Sequence, residues 1–221
     1  MADLPYSLEP LDGYNKYKIT SLLRDYLGML MEHDEHRETI AQVLQLIDGY
    51  TLQLKNLRQI NRFDTVKEVY KAVDSFFEKS PEENKKGLQC KAGCTFCCFI
   101  DLDVSPDEAS LIVAHCKENN IEIDKDYLEK QATIGRKNFS EISRCVFLKD
   151  NLCSIYEVRP VSCRKHWVNS LPAYCDTSKK SSNQIDNYFD INSEILASAL
   201  LNVEDTQPLE LALLKALDGS K

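Results

Sequence analysis

Apolar residues recur at helical spacing through the first third of the chain, from about residue 16 to residue 77. Ile40, Val43, Leu44, Ile47, Tyr50, Leu54 and Leu57 form one stripe, and Val66, Val69, Tyr70, Val73, Phe76 and Phe77 form a second. Each stripe predicts a long amphipathic helix, because residues three and four apart share a helix face. Asp64 is placed to cap the second helix. Residues 1–13 carry no such period and read as a loose lead-in.

The polar stretch SPEENKKG (80–87) has turn formers at both ends and separates these helices from CKAGCTFCC (90–98). A short run, FIDLDV (99–104), alternates apolar and acidic residues and reads as extended. Ser105 and Glu108 have capping-box spacing, and Pro106 sits at the first helical position, where its missing N–H costs nothing. A helix should follow, with Ala109, Ile112, Val113 and Cys116 on its apolar face. Another is expected from Asp124 to Ile134. Residues 145–167 read as loop with brief extended runs, and TSKKSSN (177–183) as a second polar break. Two last helices are expected near 184–203 and 208–217, the first with Ile191, Ile195, Leu196 and Ala199 buried, the second started by Pro208.

The expected fold is therefore mainly α, with a helical N-terminal arm and C-terminal helices around a loop-rich cysteine centre with little strand. The division is 1–85 as the helical N-terminal region, 86–176 as the cysteine-cluster domain, and 177–221 as C-terminal helices packing on the core. Only 7 glycines and 7 prolines among 221 residues suit long helices better than many tight turns.

Charge narrows the partners. The net charge is −8, with no run of Lys and Arg. Nucleic-acid binding needs a concentrated basic surface to displace counterions from phosphates, and an anionic membrane surface asks for the same. Neither partner is expected. The N-terminal stretch has no cationic start followed by an apolar run, and no apolar stretch is long enough to span a bilayer, so the cytoplasm is the expected location.

Nine cysteines then need a reason, because the cytoplasm keeps thiols reduced and clustered cysteines there more often hold metal. Cys90, Cys94, Cys97 and Cys98 lie within nine residues. Thiolates bind soft metals well, and several must converge to within about 2.3 Å of one zinc ion. A helix would put these four on one face, and Gly93 makes a tight turn equally suitable. Adjacent Cys97 and Cys98 should point in different directions, serving different metals or leaving one spare. Cys145, Cys153, Cys163 and Cys175 are more widely spaced and need a folded loop to gather them.

Eight thiolates suffice for two tetrahedral zinc or iron sites, or for one iron–sulfur cluster with cysteines left over. Lys91, Arg144, Arg159, Arg164 and Lys165 are the nearby cations able to offset the charge and donate hydrogen bonds to sulfur. Cys116 continues an apolar helix face and reads as core. His166, three residues after Cys163, could replace a cysteine as ligand, but eight thiolates already suffice without it. His33, His36 and His115 read as solvated helix positions. Trp167 and Phe96 are apolar neighbours able to shield a metal from water.

CKAGCTFCC, VSPDEASLIV and CVFLKDNLCSIYEVRPVSCR with a trailing Cys175 together resemble the YkgJ-type cysteine-cluster family of bacterial proteins. The matching positions of its second signature are Cys145, Leu148, Cys153, Ile155, Tyr156, Arg159, Pro160, Cys163 and Arg164. The resemblance spans about residues 88–176 and implies a domain that chelates zinc or iron. Flagellin lysine N-methylases share this module, which implies that some relatives are enzymes. Three other readings compete. A radical S-adenosylmethionine enzyme fits Cys90-x3-Cys94-x2-Cys97, but no strand–helix alternation follows. A zinc ribbon that reads nucleic acid needs paired C-x2-C knuckles and a basic surface, both missing. A thiol redox switch at Cys94, Cys97 and Cys98 is compatible with metal binding. Whether the metal is structural or catalytic stays open at this level.

Overall fold

The computed structural model describes residues 17–91, 93–135, 141–176 and 185–219. The lead-in (1–13) and the polar break at 177–183 lie outside the described residues. The protein is mainly helical, as the apolar periodicity predicts, with four two-residue strands among the described residues. It divides into two compact units, residues 1–76 with 189–205, and residues 77–188 with 206–221.

The first unit holds α1 (Ser21–Met31), α2 (Arg37–Ile60), most of α3 (Arg62–Lys79) and α8 (Ile191–Leu201). Leu23 and Leu27 of α1 meet Ile40, Val43, Leu44 and Ile47 of α2 and Ile195 of α8 in one apolar core, with Tyr17 and Ile19 closing it. Full burial of each such Leu or Ile contributes roughly 1.5–3 kcal/mol. Helix α8 is buried from Ser193 to Leu200, so it is enclosed rather than amphipathic. Asp190 caps it by accepting the Ser193 N–H at 2.7 Å.

Two expectations here need correction. Asn61, not Asp64, caps α3: its Oδ1 accepts the N–H groups of Phe63 and Asp64 at 3.0 and 3.2 Å. Asp64 lies in the first turn, where its carboxylate accepts a hydrogen bond from the Asn61 amide and favours the positive helix end. Leu57, read as part of the buried stripe, is exposed, because the stripe drifts off the core face beyond Leu54.

The second unit carries the cysteines. Helices α5 (Pro106–Glu118) and α6 (Lys125–Ile134) both pack on α9 (Leu209–Gly219). The capping box at Ser105 forms as expected: Ser105 Oγ accepts the Glu108 N–H, and Glu108 Oε2 accepts the Ser105 N–H at 3.0 Å. Asp124 caps α6 through the Tyr127 N–H. Strand β1 (Asp103–Val104) pairs antiparallel with β4 (Gln207–Pro208), Val104 opposite Gln207. The expected extended run 99–104 thus shrinks to its last two residues. Pro208 ends a strand instead of opening a helix, and α9 starts one residue later, its Leu209 N–H bonded to Leu102 O. Two one-turn helices, α4 (Glu82–Lys85) and α7 (Val161–Arg164), and a hairpin of β2 (Leu148–Lys149) with β3 (Leu152–Cys153) complete this unit. Among the described residues no helix is long and apolar enough to cross a membrane.

Candidate metal centre

The cysteines sit in short, irregular pieces, each fixed by an identifiable bond. Gly93 takes a φ of 82°, a conformation that favours glycine, and the turn it makes closes with Cys94 N–H on Lys91 O at 3.0 Å. Of the two conformations the first motif permitted, the protein thus uses the turn. A 3₁₀ turn, Phe96–Phe99, follows and carries Cys97 and Cys98. It packs on a second 3₁₀ turn, Pro172–Cys175, which brings Cys175 to the first motif. Cys90 is tied to the same neighbourhood: its Sγ accepts the Val168 N–H at 3.4 Å, and Gln89 N–H bonds Val168 O.

The later cysteines are placed by α5 and α6. Buried Gln131 of α6 donates through Nε2 to Ile142 O and Arg144 O at 2.7 and 2.8 Å, and Tyr127 Oη donates to Arg144 O. Those bonds hold the approach to Cys145, whose N–H reaches Cys98 O at 2.6 Å. Asp150 and Asn151, both at positive φ, make the two-residue turn between β2 and β3, and the register sets Cys153 opposite Leu148. Buried Phe147 anchors this hairpin, and Ser154 bonds its carbonyl twice. Cys163 lies in α7. The second oxygen of the Glu108 carboxylate accepts the Val161 N–H at 2.9 Å, so the capping residue of α5 also fixes the start of α7.

Burial and neighbouring thiols shift the ionisation of most of the clustered cysteines. Burial pushes the Cys90 thiol up, and ionised Cys94 or Cys97 would push it further. Burial likewise raises Cys94, Cys153 and Cys175, the last to about 11. Cys163 is raised first by burial, then by Cys145, Cys97 and Cys153. Cys175 feels Cys90, Cys94 and Cys97. Cys97 recurs in all of these and is the hub. Its own thiol is the exception: a hydrogen bond from the Cys98 thiol lowers it, and raises Cys98 in turn. The adjacent pair is thus hydrogen-bonded at sulfur. Ionised Cys97 would raise Cys90, Cys94, Cys153, Cys163 and Cys175, and ionised Cys145 or Cys163 would raise Cys98.

As the side chains stand, no three His, Cys, Asp or Glu among the described residues converge on a point that could hold a metal ion. The nine cysteines are free thiols.

Cys116 stands apart. It is 2% exposed, and its thiol is raised to about 11 by burial, with only Lys149 of opposite effect and no cysteine involved. His166 is kept toward its neutral form by burial, and its Nε2 is buried without a hydrogen-bond partner. Trp167 stacks on Phe77 with centroids 4.2 Å apart, and Tyr188 meets Phe77 edge-on. Of the nearby cations, Arg159 lowers Cys97, Cys153 and Cys163, and Lys91 lowers Cys94. Arg164 is committed to the backbone, donating to Arg159 O at 2.9 Å and to Glu157 O. The spacing alone did not reveal the Val168 bond to Cys90 or the double use of Glu108. Only the capping-box spacing hinted at the latter.

Comparison with known proteins agrees with this chemistry. The chain matches no curated protein and no solved structure. Residues 89–188 match the model of the family designated CxxCxxCC, described as "Putative zinc- or iron-chelating domain". This part of the chain, which contains all eight clustered cysteines, is thus similar to the CxxCxxCC family.

Proposed function

We propose that the protein binds zinc or iron through Cys90, Cys94, Cys97, Cys98, Cys145, Cys153, Cys163 and Cys175. The observation that carries this reading is the placement of Cys97. It lies within electrostatic reach of six other clustered cysteines, while Cys116 is coupled to none. The donor set fits the group: soft thiols in number, half-buried, with Arg159 among them to offset charge. Such a metal would supply closed thiolate coordination. The protein's part is to hold the sulfurs on backbone already fixed by Gly93, Glu108 and Gln131, and to limit water at them.

Two four-thiolate sets are one arrangement, Cys90, Cys94, Cys97 and Cys175 beside Cys98, Cys145, Cys153 and Cys163. Each set matches the ligand count of a closed tetrahedral site. A single iron–sulfur cluster centred on Cys97 is the second arrangement, favoured by the hydrogen-bonded Cys97–Cys98 pair. We place the activity in the cytoplasm, where reduced thiols persist.

Elemental analysis and an absorption spectrum on anaerobically purified protein test this reading. Bound zinc leaves the protein colourless, and an iron–sulfur cluster makes it brown. Cys94→Ser and Cys163→Ser should each lower metal content, and Cys116→Ser should retain it. Equal metal content in wild type and Cys94→Ser would falsify the assignment.

A further inference from the structure

Helix α2 buries one side in the core of the first unit and leaves the other side bare. On the bare side Leu46, Leu52, Leu57 and Ile60 are 48, 64, 36 and 84% exposed. Gln42, Gln45, Gly49, Gln53 and Asn56 lie among them and are exposed too. None of these residues is charged, in a chain whose charged residues make up 28% of the whole. A single exposed leucine is ordinary, but loss of charge along a whole helix face is what marks the centre of an interface. Gln42, Leu46, Gly49, Gln53, Asn56 and Ile60 recur at alternating steps of four and three, the spacing of a seam between two helices. A Cβ added at Gly49 would meet nothing within 4 Å, so the middle of the seam is open to a close neighbour.

Charge limits what fits there. The molecule carries a net −8, so two copies repel each other unless they meet where neither is charged. The bare face of α2 is such a place, and the two ends of the helix complement each other. Glu35 stands just before α2 and Glu38 lies in its first turn, while the last charged residues along it are Lys55 and Arg58. Within one molecule Asp34 pairs with Arg37, and Arg58 with Glu204. An antiparallel copy sets the acidic start of each α2 beside the basic end of the other and opposes the helix dipoles; a parallel copy sets like beside like. Leu46 and Leu57 lie almost in line, three helical turns apart. A two-fold axis between them therefore brings Leu46 of each copy against Leu57 of the other.

We propose that the bare face of α2 is a homodimer interface, on which two copies of this chain pair antiparallel through Leu46, Leu57 and the uncharged residues between them. The size of the face sets the strength. With 24 residues α2 is about 36 Å long, and at a helix width of about 10–12 Å the face covers roughly 400 Å² per copy. A standard interface takes about 800 Å² per partner, so this dimer is weak and reversible.

Sedimentation velocity on the full chain is the test. Wild type should move from monomer toward dimer as its concentration rises from about 5 to about 500 µM. Leu46→Glu and Leu57→Lys should each weaken association by about 10- to 100-fold, because the two-fold axis puts each change into the seam twice. Mixed one to one, the two variants should recover dimer, since each mixed pair joins one acid to one base and one leucine to one leucine. Gly49→Arg should also be monomeric; it replaces a poor helix former and stands in for a leucine variant that does not fold. A wild type that stays monomeric throughout overturns the proposal, and is the result if another protein or another part of this chain covers α2. Variants that dimerise like wild type, or a mixture that stays monomeric, overturn it as well.

Discussion

Replacing Glu108 with Gln changes one buried atom and should loosen two elements at once. The Glu108 side chain is 3% exposed, and its two oxygens accept different backbone N–H groups, Ser105 at 3.0 Å and Val161 at 2.9 Å. Glutamine has the same shape but only one acceptor. However the amide is turned, its NH₂ faces one of those two N–H groups, donor against donor. One charge-assisted bond is lost, worth roughly 1.5–3 kcal/mol, and the surviving bond weakens because its acceptor is neutral. The expected loss is therefore about 2–4 kcal/mol. For a chain of this length each kcal/mol lowers Tm by roughly 2–4 °C, so the metal-free protein should melt roughly 4–16 °C earlier. Circular dichroism melts of metal-free wild type and Glu108→Gln read this directly. Since Val161 starts the turn that carries Cys163, a thiol-labelling time course should show Cys163 reacting faster in the variant. A Tm within about 1 °C of wild type would mean that the double bridge carries little energy, and that α7 is held by something else.

Two further outcomes follow from the same wiring. Gln131→Ala removes both side-chain donors to Ile142 O and Arg144 O; Tyr127 still serves Arg144, so Ile142 O loses a buried donor, at a cost of roughly 1–3 kcal/mol. Urea unfolding should show that loss, and Cys145 should label faster in the variant; unchanged values of both would refute α6 as the anchor of the Cys145 loop. Metal-free protein should also lose stability as pH rises from about 9 to about 11. Cys116 and Cys175 are raised from 9.0 to about 11 when folded, so the unfolded chain ionises first and stability held below pH 9 drains away as pH approaches the folded value. Metal-loaded protein should decline less, because Cys175 is then already a thiolate; identical pH profiles for the two forms would count against Cys175 as a ligand.

The parts of this protein written in sequence are those where one local rule acts alone. A 3.6-residue apolar period suffices for α2 and α3, since burial of that face against neighbouring helices outweighs everything else. The Ser105–Glu108 box suffices for the start of α5, because both of its bonds close within one turn. The reading failed where two rules competed. Asp64 is a fair capping residue, but Asn61 stands three positions earlier, and its side chain reaches two orphan N–H groups where Asp64 reaches none. Pro208 is a fair helix opener, but pairing with Asp103 places it in a strand first.

The cysteine region has almost no regular structure of its own, and that follows from what it must do. Gathering sulfurs from segments as far apart as 90 and 175 requires backbone that bends often, and bent backbone leaves carbonyl and N–H groups without ladder partners. Here those groups are satisfied by side chains reaching out of helices: Gln131 and Tyr127 from α6, and Glu108 from α5. The sulfur of Cys90 takes one N–H itself. These bonds fix the peptide groups that lead into Cys145 and Cys163. The helices beyond the cysteine motif are therefore part of the candidate site in an energetic sense. Substitutions at Glu108 or Gln131, neither of which is a proposed ligand, should weaken metal binding by raising the cost of assembling ligands that are all still present.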